Sequence, residues 1–311
     1  MKHEIILFKQ ATLGRQYAHL VEHMLASRLS LAFSEHGCIP FLDYQFNAMT
    51  RDNIILLWFV TESDKALAAF NQVMKNADAR ILSDSEIINS LQRIAVEYGK
   101  LAKYDLKKIK ANLAQLLKQN WQKYTDLTCS RPTNIDDWSF SADGLVFKNS
   151  KDFSNKLKSS IVKLAIHSPA AELKPLAYYV LLAANQIFEN ALYADTRLPE
   201  IFNSRFEWHE FPYEIDKTLV EFASEFSYFK GDWSIDKIIA ETITNTQQKL
   251  LANLPKLELA IKQDIAAEDE LDLLNRVFDC TGIMIGAVGW QNIITPENLA
   301  KLIKAVNFDI V

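Results

Sequence analysis

The side chains best equipped for chemistry lie in Ala18-His19-Leu20-Val21-Glu22-His23-Met24-Leu25. His19 and His23 are four residues apart, so on a helix they sit one turn apart on the same face. Glu22 stands beside that pair. Neutral imidazoles suit zinc, and a carboxylate next to such an ion can take a proton from bound water.

The order His-x-x-Glu-His inverts the commoner zinc-site motif. On a solvated helix face the same letters would be idle, so the elements around them decide. A helix over about Leu13–Phe33 gathers Leu13, Tyr17, Leu20, Val21, Met24 and Leu31 on one side and leaves His19, Glu22 and His23 on the other. The histidines therefore face either water or another part of the protein across a cleft.

A 311-residue chain can bury a large core and has room for two domains. Its composition is that of a globular protein, 49% hydrophobic and 23% charged. A net charge of −5 argues against general nucleic-acid binding, which needs basic surface. Cys38, Cys129 and Cys280 form no zinc-knuckle spacing and no even disulfide set, which suits a reducing compartment. The apolar run at Ile5–Phe8 is too short and too closely flanked by charge for a signal peptide, and no run approaches a membrane span. The expectation is a cytoplasmic protein without nucleic-acid or membrane partners.

In chain order, Glu4–Gln10 reads as a strand, followed by the histidine helix, which Gly37 and Pro40 end. Tyr44–Thr50 leads into a strong strand, Asn53–Val60. Helices are expected over Ser63–Val73, from Asp84 to about Lys103, and from Asp105 to about Lys123, with strands around Trp138–Phe147. Ser83 and Glu86 make a capping box for the second of these helices. The order then starts again: a strand at Ile161–Ile166, a long helix over Ala170–Tyr193 and a strand at Phe206–Glu210. Helices at about Ile215–Phe226, Ser234–Leu254 and Leu257–Phe278 follow. The tail has a short strand candidate after Gly282 and a helix from about Pro296.

Letters repeat as well. FVTESDKALAAF (Phe59–Phe70) lies over FPYEIDKTLVEF (Phe211–Phe222) at a shift of 152, and Ser83, Ile87 and Ile88 lie over Ser234, Ile238 and Ile239 at 151. The fold class expected is α+β, a duplicated domain of roughly residues 1–150 and 151–311. The second copy has Tyr178 and Tyr179 in its first helix and no His-x-x-Glu-His, so only the first half can bind metal in this way.

A catalytic zinc needs a third protein ligand and an open position. The helix from Asp84 has an apolar side of Ile87, Ile88, Leu91, Ile94, Tyr98 and Leu101, edged by a stripe of Glu86, Ser90, Arg93 and Glu97. A stripe at a core border can face a neighbouring helix, where a ligand would have to be.

Three features resemble the M16 metallopeptidases, the family of pitrilysin, insulysin and the mitochondrial processing peptidase. AHLVEHML is similar to that family's zinc helix. FNAMTRDNIILLWF resembles its next segment, an Asn-Ala-x-Thr turn running into a strand. Glu97 follows His23 by 74 residues, close to the family's spacing to its distal glutamate. The resemblance implies two tandem M16-type domains, each an antiparallel-rich sheet packed against helices, here abbreviated. It implies Zn²⁺ on His19, His23 and Glu97, with Glu22 as general base of an endopeptidase. Asn47 would line the cleft, and an extended peptide would add to a sheet edge of the first domain.

The resemblance also gives Arg197, in the second, degenerate repeat, a role in holding substrate. The family's tyrosine seven residues beyond that arginine is replaced by Ser204, for which Tyr193, Tyr213 or a partner chain could substitute. Its glutamate seven residues before the distal ligand is Ser90 here, and Glu86 could supply that charge. Family members also have longer domains. This chain is therefore expected to dimerise, with itself or with a related M16-like chain, around a chamber for short or unfolded peptides, a precursor or leader peptide being one such substrate. The alternative is a non-catalytic M16-like subunit that binds peptides or holds an assembly together with a partner.

Overall fold

The structure, a computed structural model, describes residues 3–10, 13–51, 53–75, 83–117, 121–123, 144–151, 157–167, 169–194, 202–205, 219–229, 235–267 and 292–310. It mixes helices and antiparallel sheet. Strand β1 (His3–Gln10) is followed by helix α1 (Arg15–Glu35), the hairpin β2 (Tyr44–Arg51) and β3 (Ile54–Thr61), and helices α2 (Asp64–Lys75) and α3 (Asp84–Glu97). Then come β4 (Leu101–Tyr104), α4 (Leu106–Leu117), β5 (Gln122–Lys123) and β6 (Leu145–Lys148).

Among the described residues the first sheet runs β2-β3-β1-β5, with β2 at an edge. Ile55, Leu57 and Phe59 alternate along β3 onto the buried face, as period-two patterning requires. Against that face α1 lays Tyr17, Leu20, Val21 and Met24, joined by Ile87, Leu91 and Ile94 of α3 and by Ile109 and Leu113 of α4. Further along α1, Phe33 stacks on Phe59 at 5.6 Å, and Phe59 on Phe70 of α2 at 4.4 Å. Phe59 is fully buried, and truncating such a ring to alanine costs about 3–5 kcal/mol.

Glycines end both helices that carry the candidate site. Gly37 at φ 66° follows α1, with Cys38 N donating to Phe33 O at 2.8 Å and Gly37 N to Ser34 O at 3.0 Å. Gly99 at φ 59° follows α3, with Lys100 N donating to Ala95 O at 2.9 Å. Both are Schellman-type ends, in which a left-handed residue returns the chain to the helix's last carbonyls. The second one stops α3 at Glu97, earlier than the Lys103 expected from its apolar side, and frees Leu101–Tyr104 to pair as β4 with β6.

In the second half, β7 (Leu157–His167) precedes helix α5 (Lys174–Ala194), then β8 (Phe202–Arg205), β9 (Leu219–Phe229), α6 (Ile235–Ala252), α7 (Leu254–Ala267), α8 (Pro296–Ala305) and β10 (Val306–Ile310). The sheet order is β10-β7-β9-β8. In both sheets the strand before the 21-residue helix lies between the second strand of the following antiparallel pair and the last strand of the sheet. Helix α5 is buried along most of its length and centres a core with α6, α7 and α8. It also packs on α1, where Asn190 Nδ2 donates to Ser30 Oγ at 3.1 Å.

One expected helix is a strand. Ile215–Phe226 reads as helix by its lysine, leucine and glutamate spacing, yet Leu219–Phe229 forms β9, fully paired with β7. Its large residues Val220, Phe222, Phe226 and Tyr228 recur at even positions, a period-two signal. The letter match of Leu67 with Leu219 and of Phe70 with Phe222 therefore sets helix against strand. Ile87 with Ile238 sets helix against helix, and both are buried. Helix α4 ends at Leu117 and β5 occupies Gln122–Lys123, where helix was expected. Strand β10 was not foreseen. The expected strand Phe206–Glu210 and the strand candidate after Gly282 lie outside the described residues. Among the described residues, no helix is long and apolar enough to cross a membrane.

Candidate metal centre

The stripe on α3 and the histidine face of α1 meet along an antiparallel seam. Glu86 accepts from Arg28 Nε at 2.9 Å and from Arg28 Nη2 at 3.2 Å. Arg93 Nη1 donates to Ser27 Oγ at 2.8 Å. At the far end Glu97 reaches both histidines. Its Oε2 lies 3.2 Å from His23 Nε2 and 3.3 Å from His19 Nε2, and the two imidazole nitrogens are 3.0 Å apart. Both histidines are 8% exposed. Of the two settings open to them, they take the one facing another part of the protein.

Three ligand-type atoms thus converge on one point. Bonds of about 2.0–2.2 Å to a tetrahedral zinc separate two such atoms by roughly 3.3–3.5 Å, so the set fits that ion within a few tenths of an ångström. Glu22 stands just outside it. Its Oε2 is 3.6 Å from His19 Nε2 and accepts from Thr50 Oγ1 of β2 at 3.2 Å. His19, Glu22 and His23 also offer ligand atoms within 4.8 Å of one another. Glu97 is nearer to both imidazoles than Glu22 is to His19, which makes it the better placed of the two carboxylates to complete a ligand set.

The electrostatics follow from burial and pairing. Burial disfavours a charged His19, but the hydrogen bond and charge of Glu97, with the charge of Glu22, outweigh it and push its pKa up. Burial would raise Glu97, yet the two histidines hold its carboxyl far below the usual carboxylate range. Glu22 is pushed up, because burial outweighs the pull of His23 and His19. A bound dication would pull the Glu22 carboxyl back down.

His19, Glu22, His23 and Glu97 are therefore brought together. Asn47 is not among them. It lies on the exposed face of β2, while Phe46, Ala48 and Thr50 take the other face, from which Thr50 reaches Glu22. Arg197 and Tyr213 lie outside the described residues; Tyr193 belongs to α5 and Ser204 to β8. Glu86 does not supply a second carboxylate to the centre, being held by Arg28 and by its own helix cap, where Ser83 N donates to it at 2.9 Å. Thr50 and Tyr98 were missed as site residues. Thr50 stood inside the Asn-Ala-x-Thr segment, and Tyr98 counted as part of the apolar side of α3, yet its hydroxyl lies 2.8 Å from His19 Nδ1.

No family model matches the sequence, and no curated protein does. Solved structures similar to it include M16 peptidases. A protease from Helicobacter pylori aligns over 98% of this chain and 91% of its own, at 14% identity and a TM-score of 0.32. An inactive M16 peptidase domain from Pseudomonas fluorescens aligns over 98% and 89%, at 11% and 0.25. Pitrilysin aligns over all of this chain and 44% of its own, at 11% and 0.20. Likenesses this distant carry no weight for the chemistry, which rests on the site's own atoms.

Proposed function

We propose that the chain is a zinc-dependent endopeptidase of the M16 type, acting on short or unfolded peptides. The observation that carries this is the convergence of His19 Nε2, His23 Nε2 and Glu97 Oε2 within 3.0–3.3 Å, with the Glu22 carboxylate held beside them. A zinc ion on these three residues would supply a Lewis acid that acidifies water and polarises a peptide carbonyl. Glu22 then takes a proton on its carboxylate and returns it to the leaving amine. The Thr50 hydroxyl, donating to Oε2, sets the plane in which that carboxylate works.

Strand β2, at a sheet edge among the described residues, runs directly past Glu22 through Thr50, and beyond its contact with Pro40 and Phe41 at Tyr44 that edge could pair with an extended peptide. Asn47 and Arg197 would contact that peptide. The common strand order of the two sheets supports a duplicated domain, residues 1–150 holding the metal and residues 151–311 lacking its ligands. Pairing with a second copy or a related chain would complete a peptide chamber. Ser204, where the resemblance leads one to expect a tyrosine, favours a second reading, a non-catalytic M16-like subunit that binds peptides or holds an assembly together with a partner chain.

The test is cleavage of a mixed peptide library by the zinc-loaded chain beside its Glu22→Gln variant, read by mass spectrometry. Cuts made by the parent and absent from the variant support the peptidase. Zinc bound by both without cuts moves the assignment to the partner-dependent subunit. Equal cutting by both would sink the role given to Glu22.

A further inference from the structure

A histidine that binds a metal through one ring nitrogen is oriented by what its other nitrogen touches, and this is most often a carboxylate, a backbone carbonyl or water. For His19 that partner is a phenol: Tyr98 Oη lies 2.8 Å from Nδ1. The hydroxyl is held in place from three directions. Tyr98 is the last residue before the left-handed Gly99, and its own N–H donates to Ile94 O at 2.9 Å, so the end of α3 sets its backbone. Phe147 of β6 packs edge-on against its ring at 5.2 Å and 87°. The His19 ring lies 5.5 Å from it, tilted by 56°.

We propose that Tyr98 is a positioning residue of the metal centre: accepting the Nδ1 proton of His19, it leaves Nε2 bare and aimed at the point shared by His23 and Glu97. The β4–β6 ribbon, through Phe147, is thereby coupled to the geometry of the first metal ligand. Tyr98 and Glu97 are consecutive, so one helix end delivers both a ligand and the group that orients another ligand. This inference rests on the zinc reading above and adds a residue that the histidine and glutamate spacing does not reveal.

The test uses the full chain, Tyr98→Phe, Phe147→Leu and a His23→Ala control. Each is titrated with zinc against a chromophoric chelator and loaded with cobalt(II) for its visible spectrum. Tyr98→Phe keeps the ring and its packing, so the metal-free melting temperature should stay close to the parent's. Zinc affinity should fall about 10–100-fold, the usual loss when an outer partner of a metal-bound histidine is removed. The cobalt band should broaden or shift as the His19 ring loosens, and Phe147→Leu should show a smaller change in the same direction. Should Tyr98→Phe fail to fold, Phe147→Leu carries the test by itself. A Tyr98→Phe affinity and cobalt spectrum equal to the parent's, in a chain whose affinity His23→Ala abolishes, would overturn the role of Tyr98 alone. A parent that binds no zinc, or a His23→Ala variant that binds as tightly, would overturn the zinc reading and this inference with it.

Discussion

Glu97 and His23, 74 residues apart in the chain, meet with Oε2 3.2 Å from Nε2 at one end of the α1–α3 seam. The other end is closed by Arg28 and Glu86, and Ser27 with Arg93 stands between. A run of polar pairs along the facing sides of the two helices fixes their sliding register, since a shift of one turn would strand the buried His19, His23 and Arg93 without these partners. The seam therefore fixes where His19, His23 and Glu97 meet, and its two ends make separable demands on structure and chemistry.

At the metal end, Glu97→Gln keeps size and polarity but offers a far weaker ligand. Zinc affinity should fall by more than the roughly 100-fold that marks the upper range for an outer-shell partner. The rise in melting temperature that zinc gives the parent, a mass-action effect of binding the folded state, should vanish with it. Competition titration and thermal melts with and without zinc check both. Unchanged zinc binding would remove Glu97 from the ligand set.

Glu22 and Thr50 separate chemistry from binding. Glu22→Gln should retain zinc, because the three closer atoms remain, while peptide cleavage drops by about 10²–10⁴-fold, the range for loss of a general base. Thr50→Val removes the hydroxyl that holds Glu22 at 3.2 Å and should cost kcat more than KM. Steady-state kinetics on one peptide cut by the parent would show it. A Thr50→Val loss confined to KM would instead make Thr50 a substrate contact.

The meeting of His19, Glu22, His23 and Glu97 is legible because it is written locally, whereas Asn47 lies on the other face of β2 and Arg197 lies outside the described residues. The i, i+4 histidines, the stripe ending at Glu97 and the Ser83–Glu86 capping box need only helical periodicity to be seen, and the capping box is made in the structure. A helical wheel counts Tyr98 as apolar because it assigns a face, not the reach of a hydroxyl at a helix end. Strand β9 resembles a helix in sequence because glutamates and an alanine between its aromatic residues mimic a helical wheel, and only pairing with β7 decides the matter. Strand β10 pairs with β7 over a long sequence separation, a relation no local window contains.

At the structural end, Glu86→Ala removes the reciprocal cap of α3 and the pair with Arg28. Loss of a cap costs about 1 kcal/mol and a half-exposed ion pair up to about 1, so urea unfolding should show a loss of about 1–2 kcal/mol. Burial would raise the Glu86 carboxyl, but Arg28 and Ser83 hold it below its ordinary value of 4.5. The stabilisation is thus fully present above about pH 4.5 and is lost as pH falls through the lower folded value, so parent and variant should converge in acid. Zinc affinity should not change. A drop in zinc affinity would restore Glu86 as an outer carboxylate of the centre.

Lys9 in β1 gives the clearest alkaline signature. It is 2% exposed, with Nζ 3.5 Å from Leu116 O at the end of α4 and 4.9 Å from the centre of the Trp121 ring. The helix end and the ring both favour a cation. Burial nonetheless lowers its pKa from 10.5 to about 8. The sign follows directly: between pH 8 and 10.5 the unfolded chain keeps a proton the folded chain has shed, so this group makes stability rise with pH across that window. Below pH 8 the fold carries the buried ammonium at full cost. Lys9→Met fills the same volume without charge, so the variant should be the more stable at pH 7 and should lose its advantage towards pH 10.5. Urea midpoints of both proteins from pH 7 to 10 read the difference with other titrations cancelled. A gap that stays constant over that range would mean that the ammonium is held well enough by Leu116 and Trp121 for its burial to cost nothing.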